Sequence, residues 1–175
     1  MTKDVIAAII ERRSVRRFTD EEVPMATVGR ILDAACHAPS AGNLQPWEFY
    51  VVKNREMREK LAVAALNQEF VATAPVVIVV CALPELSARR YGDRGRYLYA
   101  IQDTAAAVQN ILLAAHGYGL ATCWVGAFDE EKVVRLLQLP PGRRPVALIP
   151  LGYAAEEKHV VPARRPWEEV VHIIE

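Results

Sequence analysis

The sequence predicts a single layered domain in which helices cover a central sheet. Its 175 residues, 52% of them hydrophobic, suit one compact domain and are too few for two ordinary ones. Segments with helical periodicity interleave with short β-branched runs along the chain. Such interleaving is typical of helices layered on a sheet. We therefore treat residues 1–175 as one domain.

Five segments have the apolar spacing of helices. Four are of ordinary length and cover about residues 5–13, 25–36, 55–66 and 129–137. Their start signals are Thr2 or Asp4 for the first, Pro24 for the second, Asn54 for the third and Asp129 for the last. The longest, about 97–116, is apolar nearly all round, which predicts burial in the domain or in a subunit interface.

Four short runs predict strands, over about 49–52, 75–83, 120–125 and 146–151. The second, PVVIVVCAL, is a continuous β-branched run, which is typical of a strand buried on both faces. The polar segment PELSARRYGDRGRY (84–97) predicts a surface loop. The tail WEEVVHIIE is compatible with a short helix or an outer strand, and its periodicity does not choose between them.

Composition argues against several classes of protein. The formal net charge is zero, so the chain lacks the basic surface with which proteins bind nucleic acid. No apolar run reaches the 18 or so residues that span a membrane, and no secretory signal is present. The three cysteines lie among apolar neighbours, which predicts buried thiols in a reducing cytoplasm. No Cys/His cluster has the spacing of a zinc site.

The stretch ERRSVRRF (11–18) concentrates four arginines in a protein whose formal net charge is zero. A guanidinium offers a planar fork of donors that matches a phosphate, and Ser14 adds a hydroxyl. The alternative is a solvated basic helix end, which the helix dipole favours. A second pair, Arg164–Arg165, lies between prolines near the other end, so both clusters are candidates for one anion site.

Two other stretches have unusual side chains. The loop APSAGNLQPW (38–47) combines hydrogen-bonding side chains with Gly42, which permits close approach of a ligand to the backbone. The stretch GYGLATCWVGAF ends in Gly126–Ala127, small residues that leave backbone N–H groups accessible to a flat ligand. An ordinary polar connection and a plain turn are the respective alternatives.

Taken in order, these blocks resemble the FMN-dependent nitroreductase family. They are RRSVRRF, APSAGNLQPWEFYVV, DTAAAVQNILLAAHGYGLATCWVGAF, IPLGYA and RRPWEEVVH, and the resemblance runs from about residue 5 to residue 172. It implies an α+β fold of three layers, α-β-α, with a mixed, mainly antiparallel sheet. It also implies an intertwined homodimer with FMN at the interface.

The resemblance also implies which residues contact FMN. The arginine stretch would hold its phosphate, ribityl chain and pyrimidine edge, the 38–47 loop would reach it from the other subunit, and Gly126 and Ala127 would face N5 and O4. The implied contacts are Arg12, Arg13, Ser14, Arg16, Pro39, Ser40, Asn43, Gln45, Asn67, Gly126, Ala127, Arg164 and Arg165. Arg17 has no implied role.

The implied activity is hydride transfer from NADH or NADPH, through FMN, to small acceptors such as nitroaromatics or quinones. No catalytic side chain is needed, because the cofactor supplies the chemistry. The alternatives are a flavin-binding or flavin-supplying protein with little turnover, and the dehalogenation or flavin cleavage found in the same superfamily. The segment 84–97 is the expected contact for nicotinamide or acceptor.

Overall fold

The computed structural model describes residues 4–155 and 161–175. Within these ranges the helices are α1 (Val5–Glu11), α2 (Met25–Cys36), α3 (Arg55–Ala64), α4 (Phe70–Thr73), α5 (Pro84–Arg94), α6 (Ala100–Gly117) and α7 (Glu130–Leu137). The strands are β1 (Trp47–Val52), β2 (Val76–Ala82), β3 (Ala121–Thr122) and β4 (Arg144–Gly152). A π-helical turn, Gly95–Tyr99, joins α5 to α6, and 3-10 turns cover Ala41–Asn43 and Trp167–Glu169.

The four strands form one sheet in the order β1-β2-β4-β3, and every neighbouring pair is antiparallel. In the part of the chain that the structure describes, the parallel pairing is one isolated bridge, between Ser14 and Thr122 of β3. The predicted α+β class is therefore confirmed. The parallel contribution expected of a mixed sheet is limited to that bridge.

Strand β2 separates two hydrophobic cores. Its even-numbered residues from Val76 to Val80 pack in one core with α2 and α6. Its odd-numbered residues from Val77 to Cys81 pack in the other with α3, α4 and α7. All seven residues of the strand are buried, as the continuous β-branched run predicts. Helices thus cover both faces of the sheet.

The helix starts follow the predicted capping residues. The Asn54 side chain accepts a hydrogen bond from the Met57 amide at 2.8 Å, and Asp129 accepts one from the Lys132 amide at 3.0 Å. Asp4 precedes α1 without such a side-chain bond. The alternative cap, Thr2, lies outside the described residues.

The surface loop predicted over 84–97 is wrong, because this segment forms α5 and most of the π-helical turn. Pro84 occupies the start of α5, and Gly92 interrupts it with φ 56° and ψ −141°, a conformation that suits glycine. The Arg96 guanidinium also bonds Glu85, at 2.8 and 2.9 Å. The polar composition that suggested a loop belongs to the exposed face of a helix.

Three smaller expectations also differ from the structure. Strand β3 is only two residues long, although Val125 still forms one bridge with Leu148. The tail forms neither a regular helix nor a strand, apart from its one 3-10 turn. Cys36 is exposed because it lies at the solvent-facing end of α2, whereas Cys81 and Cys123 are buried as predicted. Burial raises the pKa of the Cys81 thiol to about 12.

Two segments expose apolar side chains to an unusual degree. The stripe of α1 is at least half exposed at all four positions, Val5, Ile6, Ile9 and Ile10. In the tail, Trp167 is 63% exposed, Ile173 79% and Ile174 95%. Among the helices of residues 4–155 and 161–175, none is long and apolar enough to cross a membrane.

We predict that Gly95→Ala lowers the free energy of unfolding by about 1–3 kcal/mol. A Cβ at Gly95 would lie 2.4 Å from the Ser87 carbonyl oxygen, so α5 would have to move away from the π-helical turn. Gly29→Ala in α2 is the matched control, because its Cβ would meet nothing within 4 Å. We expect Gly29→Ala to raise the free energy of unfolding by about 0.5–1 kcal/mol, because alanine is favoured over glycine inside a helix. Urea unfolding in which both variants match the wild type would contradict this packing.

Candidate active site

The arginine stretch lies along the edge of the sheet. The Val15 amide donates a hydrogen bond to the Thr122 carbonyl at 2.9 Å, which fixes the segment beside β3. The Nη1 atom of Arg13 bonds the carbonyls of Ile10 and Arg12. The Nε atoms of Arg12 and Arg13 are buried, and neither has a hydrogen-bond partner among the described residues. A buried donor without a partner is costly, so this geometry suits an external acceptor.

The turn before α4 lies next to this stretch. The Arg16 guanidinium stacks over the Phe70 ring, 5.7 Å from its centroid. Gln68 donates from Nε2 to the Ala127 carbonyl at 3.0 Å and to the Ala65 carbonyl at 2.8 Å. The structure therefore brings together three predicted parts of the site: the arginines, the turn that contains Asn67, and Gly126–Ala127.

Gly126 and Ala127 form an open edge of this surface. Both residues are exposed. A Cβ at Gly126 would touch only the Trp124 side chain, at 4.0 Å. The backbone there thus lies at an open surface. We call the surface formed by residues 12–16, 66–70 and 126–127 the arginine face.

The loop 38–47 has its own internal hydrogen bonds. The Gln45 amide donates to Ser40 Oγ at 3.0 Å, and Gln45 Nε2 donates to Asn43 Oδ1 at 3.3 Å. Pro39, Asn43 and Gln45 are exposed. Hydrogen bonds therefore link Ser40, Asn43 and Gln45 within the loop 38–47, which we call the polar loop.

Left-handed backbone conformations concentrate in these two places. Apart from Gln138, which ends α7, the described non-glycine residues with positive φ are Asn43 at 56°, Gln45 at 51°, Leu66 at 58° and Asn67 at 60°. Such conformations are unfavourable for most side chains, and they cluster at functional sites. The outliers thus mark the polar loop and the turn on the arginine face.

A buried carboxylate holds the polar loop. Both oxygens of Asp103, in α6, accept from the Ala41 amide, at 3.1 and 3.2 Å. Asp103 is only 7% exposed, and desolvation raises the pKa of its carboxyl group although the Ala41 amide acts in the opposite direction. This acid fixes the backbone next to Ser40 and Gly42.

The polar loop and the arginine face lie at opposite ends of α6. Asp103 contacts the loop near the start of the helix, whereas His116, near its end, lies 3.7 Å from Glu11 beside the arginines. At about 1.5 Å per residue these positions are about 20 Å apart along the axis. The contact that holds the polar loop and the contact beside the arginines are therefore well separated along α6.

The C-terminal arginines also stand apart. Arg164 donates to the carbonyls of Pro162 and Ala163, and Arg165 bonds Glu169. Every residue from 161 to 175 is exposed. Among the described residues, the hydrogen bonds of this basic pair therefore stay within the tail.

Comparison with known proteins identifies the family. The sequence profile of the Nitroreductase family matches residues 9–68 and 61–153, which is well over half of the chain. This chain belongs to the nitroreductase family. Membership makes it an oxidoreductase of a flavin-related enzyme family that uses NAD(P)H, as the ordered motifs imply.

Relatives of this nitroreductase-family chain agree with the assignment. A Methanothermobacter thermautotrophicus protein, provisionally named NADH dehydrogenase/NAD(P)H nitroreductase, is 43% identical over 157 residues, covering 87% of this chain and 78% of that protein. FMN reductase (NAD(P)H) of Bacillus subtilis is 28% identical, covering 97% of this chain and 73% of that enzyme. The crystal structure of nitroreductase A from Vibrio parahaemolyticus has a TM-score of 0.88 at 29% identity, covering 100% of this chain and 77% of that one.

Several residues of this nitroreductase fold that support the candidate site were not predicted. Gln68 and Phe70 lie in the short helical turn that sequence periodicity does not show. Asp103 had a signal, because it is the one acidic residue in the predicted apolar helix 97–116. A lone carboxylate in such a helix indicates a buried hydrogen-bond partner.

We predict that Asp103→Ala increases hydrogen exchange at the Ala41 amide and lowers the free energy of unfolding by about 1–3 kcal/mol, because a backbone donor loses its partner. Asp103→Asn retains an acceptor oxygen and should lose less. Gln102→Ala, at the exposed neighbouring position of α6, is the control and should leave the loop protected. Unchanged exchange at Ala41 in Asp103→Ala would rule out this anchoring role.

Proposed function

We propose that this protein is an FMN-dependent oxidoreductase that transfers hydride from NADH or NADPH to small acceptors such as nitroaromatics or quinones. The observation on which the proposal depends is the pair of buried, unpartnered Nε atoms of Arg12 and Arg13 beside the open Gly126–Ala127 edge. The named activities of the two relatives, an NAD(P)H nitroreductase and an FMN reductase, support it.

The arginine face fits the charged end of FMN. In the proposed complex Arg12, Arg13 and Ser14 bind the phosphate and the ribityl chain. Arg16 lies at the pyrimidine edge, where the Phe70 ring restrains its guanidinium. Arginine suits this task, because its fork of donors matches phosphate oxygens and remains charged at neutral pH.

The open edge fits the ring system. Backbone amides at Gly126 and Ala127 orient the N5 and O4 side of the flavin, while the Asn67 side chain contacts the pyrimidine. Leu66 and Asn67 both adopt positive φ, so the backbone of this turn has an unusual shape next to the proposed ring position. FMN held by these residues would supply the hydride-transfer chemistry between NAD(P)H and the acceptor.

A rough sum indicates that both sets of contacts are necessary. Hydrogen bonds to charged groups contribute about 1.5–3 kcal/mol each, so three phosphate contacts give roughly 5–9 kcal/mol. Association costs on the order of 4–15 kcal/mol. Micromolar affinity requires about 8 kcal/mol net. The ring contacts must therefore supply a large part of the binding free energy.

We further propose that two chains share each site in a homodimer. The polar loop is held at the Asp103 end of α6, about 20 Å from the His116 end that lies beside Glu11, at about 1.5 Å per residue of the helix. Its residues Pro39, Ser40, Asn43 and Gln45 therefore complete the site of the other subunit. The exposed apolar stripe of α1 and the exposed apolar tail are surfaces that such a dimer would bury.

The tail gives the C-terminal arginines a role in the same arrangement. A segment whose residues are all in the exposed class, Trp167 and Ile173 among them, is suited to packing on a second chain. Arg164 and Arg165 would then close on the phosphate from outside. The chain's own residues thus bind, orient and shield the cofactor. Neither proton transfer nor nucleophilic attack by a side chain is part of the proposal.

We predict that the purified protein carries a flavin that a nicotinamide reduces. The purified protein should be yellow, and anaerobic NADH or NADPH should bleach the bound flavin, because the nicotinamide reduces N5. Addition of a nitroaromatic or a quinone should restore the colour. Bound flavin that neither nicotinamide bleaches would instead support a flavin-binding protein with little turnover. A colourless protein that fails to bind added FMN would contradict the proposal altogether.

We also predict that the arginines of the stretch 11–18 differ in their effect on FMN binding. Arg12→Ala and Arg16→Ala should each weaken FMN binding at least tenfold, the effect of about 1.4 kcal/mol. Arg17→Ala is the matched control and should retain FMN. Fluorescence titration measures the affinity, and sedimentation should show an intact dimer for all three. Unchanged affinity in both site variants would refute the assignment, and a holo monomer would refute the shared site.

A further inference from the structure

Helix α5 places Arg90 beside the polar loop and Arg94 one helical turn further along. Arg90 Nη1 lies 3.4 Å from the Gly42 carbonyl oxygen. A Cβ at Gly42 would lie 2.5 Å from the Tyr91 hydroxyl and 2.7 Å from Arg90 Nη1, so a larger residue would displace the ends of these two side chains. The segment that follows β2 is thus packed directly on the loop that carries Ser40 and Asn43.

The arginines are held by two tyrosines. The Tyr91 and Tyr99 rings meet edge to face, with centroids 5.2 Å apart. Arg90 lies over Tyr91 and Arg94 over Tyr99, each 5.4 Å from the ring centroid, and Arg94 Nε donates to the Tyr99 hydroxyl at 2.9 Å. We call these four residues the Arg/Tyr cluster.

The cluster differs from the other charges of this segment. Arg96 is neutralised by Glu85 and Asp93, at 2.8 Å each. Among the described residues, Arg90 and Arg94 form no ion pair with a carboxylate, and both are exposed. Their guanidiniums therefore keep donors available for an anion from solution.

We propose that the Arg/Tyr cluster is an anion subsite for the molecule that exchanges electrons with the flavin. This inference rests on the proposed function, because the polar loop would border that flavin. The chemistry of the cluster fits a planar ring that carries an anionic group: the tyrosines offer apolar ring surface, and the arginines offer forked donors. Two sources have this chemistry, an aromatic acceptor with a carboxylate and the adenosine 2′-phosphate of NADPH.

The test compares Arg90→Gln/Arg94→Gln with the control Arg55→Gln/Arg135→Gln. The control removes the same charge from exposed arginines of α3 and α7, outside the cluster. Calorimetry on the purified protein measures binding of 4-nitrobenzoate, neutral 4-nitrobenzamide and adenosine 2′,5′-bisphosphate. Steady-state kinetics adds the ratio of kcat/KM for NADPH to that for NADH.

The cluster variant should lose about tenfold in affinity for one anion, while the neutral amide and the control variant remain unchanged. Weaker 4-nitrobenzoate binding identifies the acceptor as the source. Weaker bisphosphate binding, with a lower NADPH/NADH ratio, identifies the reductant. If each of the two anions binds the cluster variant as tightly as the control variant, the subsite is overturned.

A second variant guards against misfolding. Arg90→Lys/Arg94→Lys keeps the charge but loses the planar fork, so its loss should be smaller than that of the glutamine variant. Flavin content and bleaching by NADH separate this proposal from the previous one. If the protein is yellow and bleached by NADH, but the cluster variant binds both anions as tightly as the control variant, only the subsite is contradicted. If the protein binds no flavin, the proposed function is contradicted, and the calorimetry still decides whether the cluster binds an anion.

Discussion

Burial of β2 on both faces is the constraint on which the rest of the structure depends. A strand with no solvent-facing side needs a cover on each side, and antiparallel partners must satisfy its backbone. The helices α2 and α6 cover one face, and α3 with α7 covers the other. The segments between these layers emerge at the ends of the sheet and of α6, where the arginine face and the polar loop are found.

Both parts of the candidate site rely on backbone that is held in place. Asp103 fixes the polar loop from the start of α6, and the Ser14–Thr122 bridge fixes the arginine stretch beside β3. The left-handed residues Asn43, Gln45, Leu66 and Asn67 persist because the surrounding structure restrains them. A rigid frame with unfavourable local conformations suits recognition of a flat molecule, since little ordering remains to be done on binding.

Much of this architecture was predictable from sequence. β-branched runs identified β2, and capping residues gave the starts of α3 and α7, because these signals are local. The wrong prediction of a loop over 84–97 has a physical origin. Polar residues and Gly92 are typical of loops, whereas the ion pair between Glu85 and Arg96 that stabilises the helix forms only in the folded segment. The arginine stretch was a recognisable candidate, but its unpartnered Nε atoms depend on contacts between distant segments. The same is true of the Asp103–Ala41 bond, which joins α6 to the polar loop.

The contacts at the two ends of α6 also restrict how the chain can change in length. One residue inserted between Asp103 and His116 would rotate one end relative to the other by about 100° and shift it by about 1.5 Å. Asp103 would then point away from the Ala41 amide, or His116 away from Glu11. The two contacts therefore fix the number of residues between Asp103 and His116, and we expect insertions and deletions among related sequences to lie outside α6.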